Sequence, residues 1–481
     1  MEPNRMHSLA SRRVLSLEVL GLGGLLCFGI IVQYLWFFSI TAIIGTVLIV
    51  AAAFAVPWQS HGRTPYRITV AATAISFFFA AWHATVYSNI APVLLYSATG
   101  ACGLVILMML RPDATDFVVG RFVRSLVVVV LVGVVFVVAA DGISISDPDI
   151  DVLDIHRSAA NWAGEGYNPY VYAFAWDSSP DSPEGTAFRG YVYPPSTLAA
   201  YVGADWVFGD PRWASALAAS VFILLVAAPW QGVSAQVGAM RLSLALLFAS
   251  IPPLGYMIWG GWTDMLALPF LLVGALQWSR RPVLASIMLG VAFSTKPYFV
   301  VALPLLLLWQ DDFKWKRVGI VGSVVAATYV PFIVADVESI VGTIRRGLPK
   351  VYRTDSAGLS ALGLRIPNWL SYVLTLTVGI ALGARGGKPY RYMIALAATL
   401  AVVFVTGAQV FLNYWLLVVG LIVISLVALV DDYDEPSSSL SSETAKDLPS
   451  VEPAINSVND SLEADVPGSV FPAQPTSAAA S

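Results

Sequence analysis

Four short stretches carry most of the side chains in this sequence that could do chemistry. The first is Asp147-Pro-Asp149-Ile-Asp151-Val-Leu-Asp154-Ile-His156-Arg157, with four carboxylates close together. Alternating Asp residues suit a hard cation, and Asp-x-Asp-x-Asp matches the start of a calcium loop. Val152 stands where the turn glycine is required, and Ser158 where the bidentate Glu is required, so an EF-hand is excluded. For three of the four carboxylates a solvated acidic loop is the simpler reading.

The second stretch is Ser294-Thr-Lys296-Pro297-Tyr298, which interrupts an apolar run. A lysine at membrane depth is costly enough to mark a functional site unless it snorkels to the interface. Its ammonium suits a phosphate that departs as a leaving group. In the third, Gly260-Gly-Trp262-Thr-Asp264, Asp264 reads either as an N-cap or first-turn partner of the helix dipole or as a binding residue beside Trp262. The fourth, residues 336–367, holds Arg345, Arg346, Lys350, Arg353 and Arg365 against Asp336, Glu338 and Asp355. That excess makes a cationic rim for an anionic headgroup, or a basic surface that meets lipid phosphates without selecting among them. Gln409, Asn413 and Tyr414 either add polar contacts or pack within their own helix.

Other chemistries fail on residue type. The four histidines (His7, His61, His83 and His156) show no paired zinc-ligand spacing. No P-loop and no basic stretch of nucleic-acid character occurs. Cys27 and Cys102 both lie in apolar runs and read as inert thiols. No cofactor or metal is expected.

The elements that must position these residues are membrane helices. Of 481 residues 57% are hydrophobic and 12% charged, with a mean hydropathy of +0.73, which no ordinary soluble domain shows. Charge and Pro/Gly punctuation divides the body into apolar spans at 17–36, 38–56, 68–87, 90–110 and 126–140, then 213–230, 242–259, 265–278, 282–293, 299–309, 318–335, 368–384, 392–405 and 410–430. Residues 282–293 and 299–309 are each too short to cross at 1.5 Å per residue and suit a re-entrant pair. The polar stretch 141–211 separates the fifth span from the rest. If the N-terminus is cytoplasmic, eighteen of the 27 basic residues fall inside, so the positive-inside rule places 141–211 on the extracytoplasmic face. The apolar stretch after the basic 1–13 segment reads as a membrane anchor rather than a cleaved signal. From Asp431 on, ten carboxylates face only Lys446, and 431–481 reads as a disordered acidic cytoplasmic tail.

The loop string Asp151-Val-Leu-Asp154-Ile-His-Arg-Ser-Ala159-Ala160, then Gly166-x-x-Pro169-Tyr170, then Tyr193-Pro194-Pro195, resembles the first periplasmic loop of GT-C glycosyltransferases. The pattern is similar to that of the bacterial polyprenyl-phosphate-mannose-dependent mannosyltransferases. The resemblance covers the loop and, more loosely, the spans to about Trp309, leaving the first four spans as an added module. It implies an all-α integral membrane bundle of about 12–14 transmembrane helices with a large catalytic loop (141–211) after the fifth span. Residues 1–430 would form the transferase domain. It also implies transfer of mannose or another sugar from a polyprenyl-phosphate donor to a glycolipid or glycan acceptor outside the plasma membrane. By position Asp151 matches the family's catalytic base, with Asp154 or Asp149 as alternatives in register. A Lys-Pro at a similar place in the family matches Lys296, and the corner of Trp262 and Asp264 matches a donor-pocket wall. Tyr170, Trp176, Tyr191 and Tyr193 offer faces for stacking a sugar, or mark the membrane interface. The rival reading is a non-enzymatic translocase of lipid-linked sugar or polymer, in which Lys296 and the basic rim line a path.

Overall fold

A computed structural model of the chain describes residues 68–77, 80, 90–109, 117–144, 151–171, 173–174, 188–228, 235–251, 253–346, 358–407 and 411–433. The spans expected at 17–36 and 38–56, and nearly all of the acidic tail, lie outside the described residues. The described residues all fall within one compact unit.

Apart from a two-residue antiparallel ladder, the regular structure described is helical. In chain order the helices are α1 (Ile68–Phe77), α2 (Ile90–Met109), α3 (Phe117–Ser144), α4 (Asp151–Gly164), α5 (Pro195–Phe208), α6 (Trp213–Ala227), α7 (Ala235–Ala249) and α8 (Pro253–Trp259). The ladder pairs β1 (Ala173–Phe174) with β2 (Phe188–Arg189). A 3₁₀ turn, Thr263–Leu266, leads into α9 (Ala267–Leu276), followed by α10 (Pro282–Phe293). A second 3₁₀ turn, Pro297–Val301, leads into α11 (Ala302–Leu308), and then come α12 (Lys314–Ala335), α13 (Val337–Arg346), α14 (Asn368–Gly383), α15 (Pro389–Thr406) and α16 (Leu412–Tyr433). Among the described residues four helical stretches are long and apolar enough to cross a membrane: Phe122–Ser144, Lys314–Ala335, Pro389–Thr406 and Asn413–Asp432. The pair α5 and α6, bent by 103°, makes a fifth if taken as one broken span. This is the architecture of an α-helical membrane protein.

Two of the differences from the expected boundaries bear on the argument. The span expected at 242–259 is two helices, because Pro252 and Pro253 supply no N–H to a continuing ladder. The last helix runs to Tyr433, so Asp431 and Asp432, expected in the tail, are helical. Asp431 lies 3.3 Å from the Arg241 guanidinium and Asp432 2.9 Å from Lys388, which gives these carboxylates a place in the fold.

A main core runs through α3, α6, α7, α9, α15 and α16, with Phe222, Phe248, Leu268, Leu396, Leu416 and Val423 buried in it. A second, smaller core lies under the loop segment. It joins Ile155, Ala159 and Ala160 of α4 to Tyr170, Tyr191, Leu198, Val202 of α5 and Ile340 of α13, with Phe332 of α12 packed against it. The amphipathic pattern of α4, apolar at Val152, Ile155, Ala159 and Ala160, drives this docking.

The loop is held by backbone as well as by side chains. Helix α4 opens with Asp151 and Asp154 in its first turn, where the helix dipole favours carboxylates. It closes at Gly166, whose φ of 82° reverses the chain while Tyr167 N–H donates to Trp162 O at 2.9 Å. Gly190, also at φ 82°, lies so close to the Tyr170 carbonyl that a Cβ there would come within 2.1 Å of that oxygen. Tyr191 N–H donates to Pro169 O at 2.9 Å, and Tyr170 Oη donates to Tyr193 O at 2.8 Å. The Pro169-Tyr170 turn therefore braces the Tyr193-Pro194-Pro195 corner. Pro195 then starts α5 at a position that needs no N–H.

Candidate functional site

Three chain breaks converge beside this corner. Helix α10 stops at Ser294, whose hydroxyl lies 2.6 Å from Ser196 Oγ, while Thr197 Oγ1 donates to Thr295 O at 2.6 Å. The first turn of α5 thus pins the break that presents Lys296. The turn at Trp262 is pinned in the same manner: Tyr201 Oη and Ser215 Oγ both donate to Trp262 O, at 3.0 and 2.7 Å. Behind it Asp210 takes two guanidinium N–H groups of Arg212, at 2.9 and 2.7 Å, and one from Arg157 at 3.1 Å. Arg212 also donates to Gly142 O at 3.2 Å, so this cluster ties α3, α4 and the bend between α5 and α6 together.

At the centre, Lys296 Nζ lies 3.2 Å from Asp264, and both side chains are almost wholly buried. Asp264 also accepts from Tyr298 Oη and from Asn413 Nδ2. Asp264 lies in the first turn of its 3₁₀ segment, as the dipole reading expects, but the turn has no side-chain cap, and both carboxylate oxygens are also taken by side chains of other elements. Lys296, read from the sequence as a lone cation, has a counter-charge 32 positions earlier. The rest of its surroundings is aromatic, with the rings of Tyr193, Tyr414 and Tyr298 centred 5.1, 5.6 and 5.7 Å from Nζ.

Asp151 is half-buried at the start of α4. Its charge acts on both Tyr193 and Tyr414. Burial first, and then Asp151, raise the Tyr193 phenol well above its ordinary range, so Tyr193 stays a neutral hydroxyl. His156, five residues on, is fully buried and stacked on Tyr201 at 3.8 Å and on Tyr193 at 5.1 Å between ring centroids. Tyr191 Oη lies 2.9 Å from its Nδ1.

The structure therefore brings together Tyr193, Trp262, Asp264 and Lys296, with Asp151 within electrostatic reach of Tyr193 and Tyr170 bracing the corner. Asp154 is exposed on α4. Asp149 and Trp176 lie outside the described residues. Arg345 and Arg346 end α13, whose Thr343 donates to Tyr191 O at 3.2 Å. Their backbone thus follows directly from the corner, while their side chains, with Lys350, Arg353 and Gln409, lie outside the described part. Arg365 is exposed. Of the polar pair flagged near the last span, Asn413 reaches Asp264 and Tyr414 lends its ring to Lys296.

The sequence reading did not single out His156, Tyr201 or Tyr298 as site members. The signal for His156 was its place on the apolar face of α4, at three-residue spacing from Leu153 and Ala159. Among the described residues, no three His, Cys, Asp or Glu side chains gather where they could hold a metal ion. Comparison with family models, with curated proteins and with solved structures finds no match to this chain.

Proposed function

We propose that this chain is a polytopic membrane glycosyltransferase of GT-C type. It moves a hexosyl or pentosyl group, mannose being the first to try, from a polyprenyl phosphate to an acceptor hydroxyl on the extracytoplasmic face. The observation that supports this reading is Tyr193, which has the Lys296 ammonium 5.1 Å from its ring centroid and lies within the electrostatic reach of the Asp151 carboxylate. A base and a cation beside it are what transfer from a sugar phosphate needs.

In this scheme Asp151 takes the proton of the acceptor hydroxyl as that oxygen bonds to the anomeric carbon. The bond from the anomeric carbon to the phosphate oxygen breaks, its electron pair leaves with the lipid phosphate, and configuration inverts. Lys296 stabilises the departing phosphate. Asp264 keeps the ammonium charged and aimed until the donor arrives, and the Arg345 and Arg346 rim draws the anionic headgroup in. Tyr170, Tyr193 and Trp262 shape the sugar site. This scheme requires no metal or cofactor. With α4 outside, Arg241 of α7, the basic start of α12 (Lys314, Lys316, Arg317) and both termini are cytoplasmic, in keeping with the positive-inside rule. The shorter apolar helices complete about 12–14 crossings, and the product belongs to cell-envelope glycan.

The test is transfer in membranes that carry wild type or Asp151→Asn at equal expression, supplied with labelled polyprenyl-phosphate sugars. Loss of the base lowers transfer about 10²- to 10⁴-fold. Equal transfer by both removes Asp151 as base and turns attention to Asp154 or Asp149. No transfer with any donor favours the translocase.

A further inference from the structure

His156 has a polar atom with no partner. Its side chain is 0% exposed, and its Nε2 makes no hydrogen bond. The other ring nitrogen is committed. Tyr191 Oη lies 2.9 Å from Nδ1, and no second acceptor for that hydroxyl proton is present among the described residues. With Tyr191 assigned as donor to Nδ1, the pairing that leaves fewer polar atoms unmet, the single ring proton of a neutral imidazole sits on Nε2. Burial, then the nearby Lys296 ammonium, hold the imidazole well below its ordinary range, which keeps it neutral at pH 7. A buried N–H with no acceptor costs about 1–3 kcal/mol, so its retention calls for an occupant.

Three observations say where the occupant sits. His156 stacks 5.1 Å from the Tyr193 ring centroid, and Lys296 Nζ lies 5.1 Å from the same centroid. The Cδ2 edge that flanks Nε2 faces Gly261, where a Cβ would lie 4.0 Å away, at the turn that carries Trp262 and Asp264. Lys296 has one carboxylate partner among the described residues and otherwise only ring faces, so its ammonium retains donors for a second anion. A neutral N–H and a charged N–H beside one tyrosine suit the several oxygens of a phosphate, which accepts both.

We propose that His156 Nε2–H is a binding group for the phosphate of the donor lipid, acting with Lys296 and oriented by Tyr191. This inference rests on the transferase reading above and assigns its phosphate subsite. The same chemistry fits free phosphate, and the polyprenyl chain separates the two.

The full chain in lipid nanodiscs is titrated with decaprenyl phosphate and, separately, with inorganic phosphate. His156→Phe keeps a flat ring and loses the donor, and it weakens decaprenyl phosphate binding about 10- to 100-fold. His156→Gln, whose amide N–H reaches the place of Nε2, restores most of that loss. In wild type labelled with ¹⁵N-histidine, the Nε2 resonance of His156 moves on addition of decaprenyl phosphate, a response that a purely structural ring does not give. This readout decides the matter even where His156→Phe does not fold. Unchanged affinity in His156→Phe, or an unmoved Nε2 resonance at saturation, overturns the assignment and leaves the transferase reading standing. Equal affinity for inorganic phosphate overturns the lipid-donor assignment. Absence of any decaprenyl phosphate binding by wild type overturns both.

Discussion

Helix α16 carries a polar contact near each end, and the two contacts belong to different kinds of structure. Asn413 reaches Asp264 and, through it, the Lys296 ammonium. Asp431, eighteen positions and so about 27 Å along the axis, pairs with Arg241. There Arg241 is met by several fixed oxygens. Arg241 donates to Val226 O at 2.9 Å and to Leu225 O at 2.7 Å as well as to Asp431, and Arg124 donates to Ala227 O at 3.0 Å. These are carbonyls at the end of α6 that have no N–H partner within the helix, so the arginines finish that helix. Arg317 likewise holds Asp311 at 2.7 Å and lies 3.9 Å over the Trp278 ring. Lys296 holds one carboxylate and faces three aromatic rings. A cation with its oxygens supplied fixes architecture, whereas a cation with one oxygen and three soft faces keeps room for a guest.

Charge removal tests that contrast most strongly. Asp264→Leu leaves a buried ammonium without its counter-charge and lowers stability by about 3–5 kcal/mol, as chemical denaturation in detergent would measure. Arg241→Met strands less, because Asp431 is partly exposed and can turn to water, so its cost is smaller. The double variant Asp264→Leu with Lys296→Met restores most of the stability yet binds no phosphate. If Arg241→Met abolishes phosphate binding in a folded protein, the division into a site end and a framing end is wrong.

A backbone change sharpens the same contrast. Gly190→Ala puts a methyl group onto the Tyr170 carbonyl at a positive φ and costs about 2–3 kcal/mol. The loop loosens from α5 while the arginine end keeps its protection, which hydrogen exchange at residues 225–227 against residues 191–198 would resolve.

Acidification gives the smallest effect. Burial alone would raise the Asp210 carboxyl, but its hydrogen bonds and charge pairing with Arg212, and then Arg157, outweigh that and hold it below its ordinary value. A carboxyl lowered in the folded state contributes stability above its unfolded pKa of about 3.9 and loses that contribution as pH falls below it. Wild type should exceed Asp210→Asn by about 1–2 kcal/mol at pH 7, with the gap closing below about pH 4 in paired melting curves.

Much of this arrangement was legible in the sequence because punctuation marks helix ends. Pro282, Pro389 and the Ser294–Lys296 break fall where α10 and α15 begin and where α10 stops. The loop strings around Pro169-Tyr170 and Tyr193-Pro194 were legible as folded corners, but not as partners of one another, since hydrogen bonds between distant segments leave no periodic trace. The Asp264 and Lys296 pairing was hidden for the same reason, and so was the reach of Asn413. The split at Pro252-Pro253 was written in the sequence, but the apolar run across it masked the break. His156 was passed over because a histidine on the apolar face of a short helix looks like packing until its ring nitrogens are followed.

The bond from Thr343 Oγ1 to Tyr191 O spans 152 positions. The second core cannot close until α12 and α13 have left the ribosome, well after α4 and α5 have been made. During synthesis the loop therefore waits beside a bundle that is still being assembled, and it reaches its final shape only after α13 has been made. A nascent chain stalled before residue 337 would hold Asp151 on a helix that has nothing from α13 to dock against.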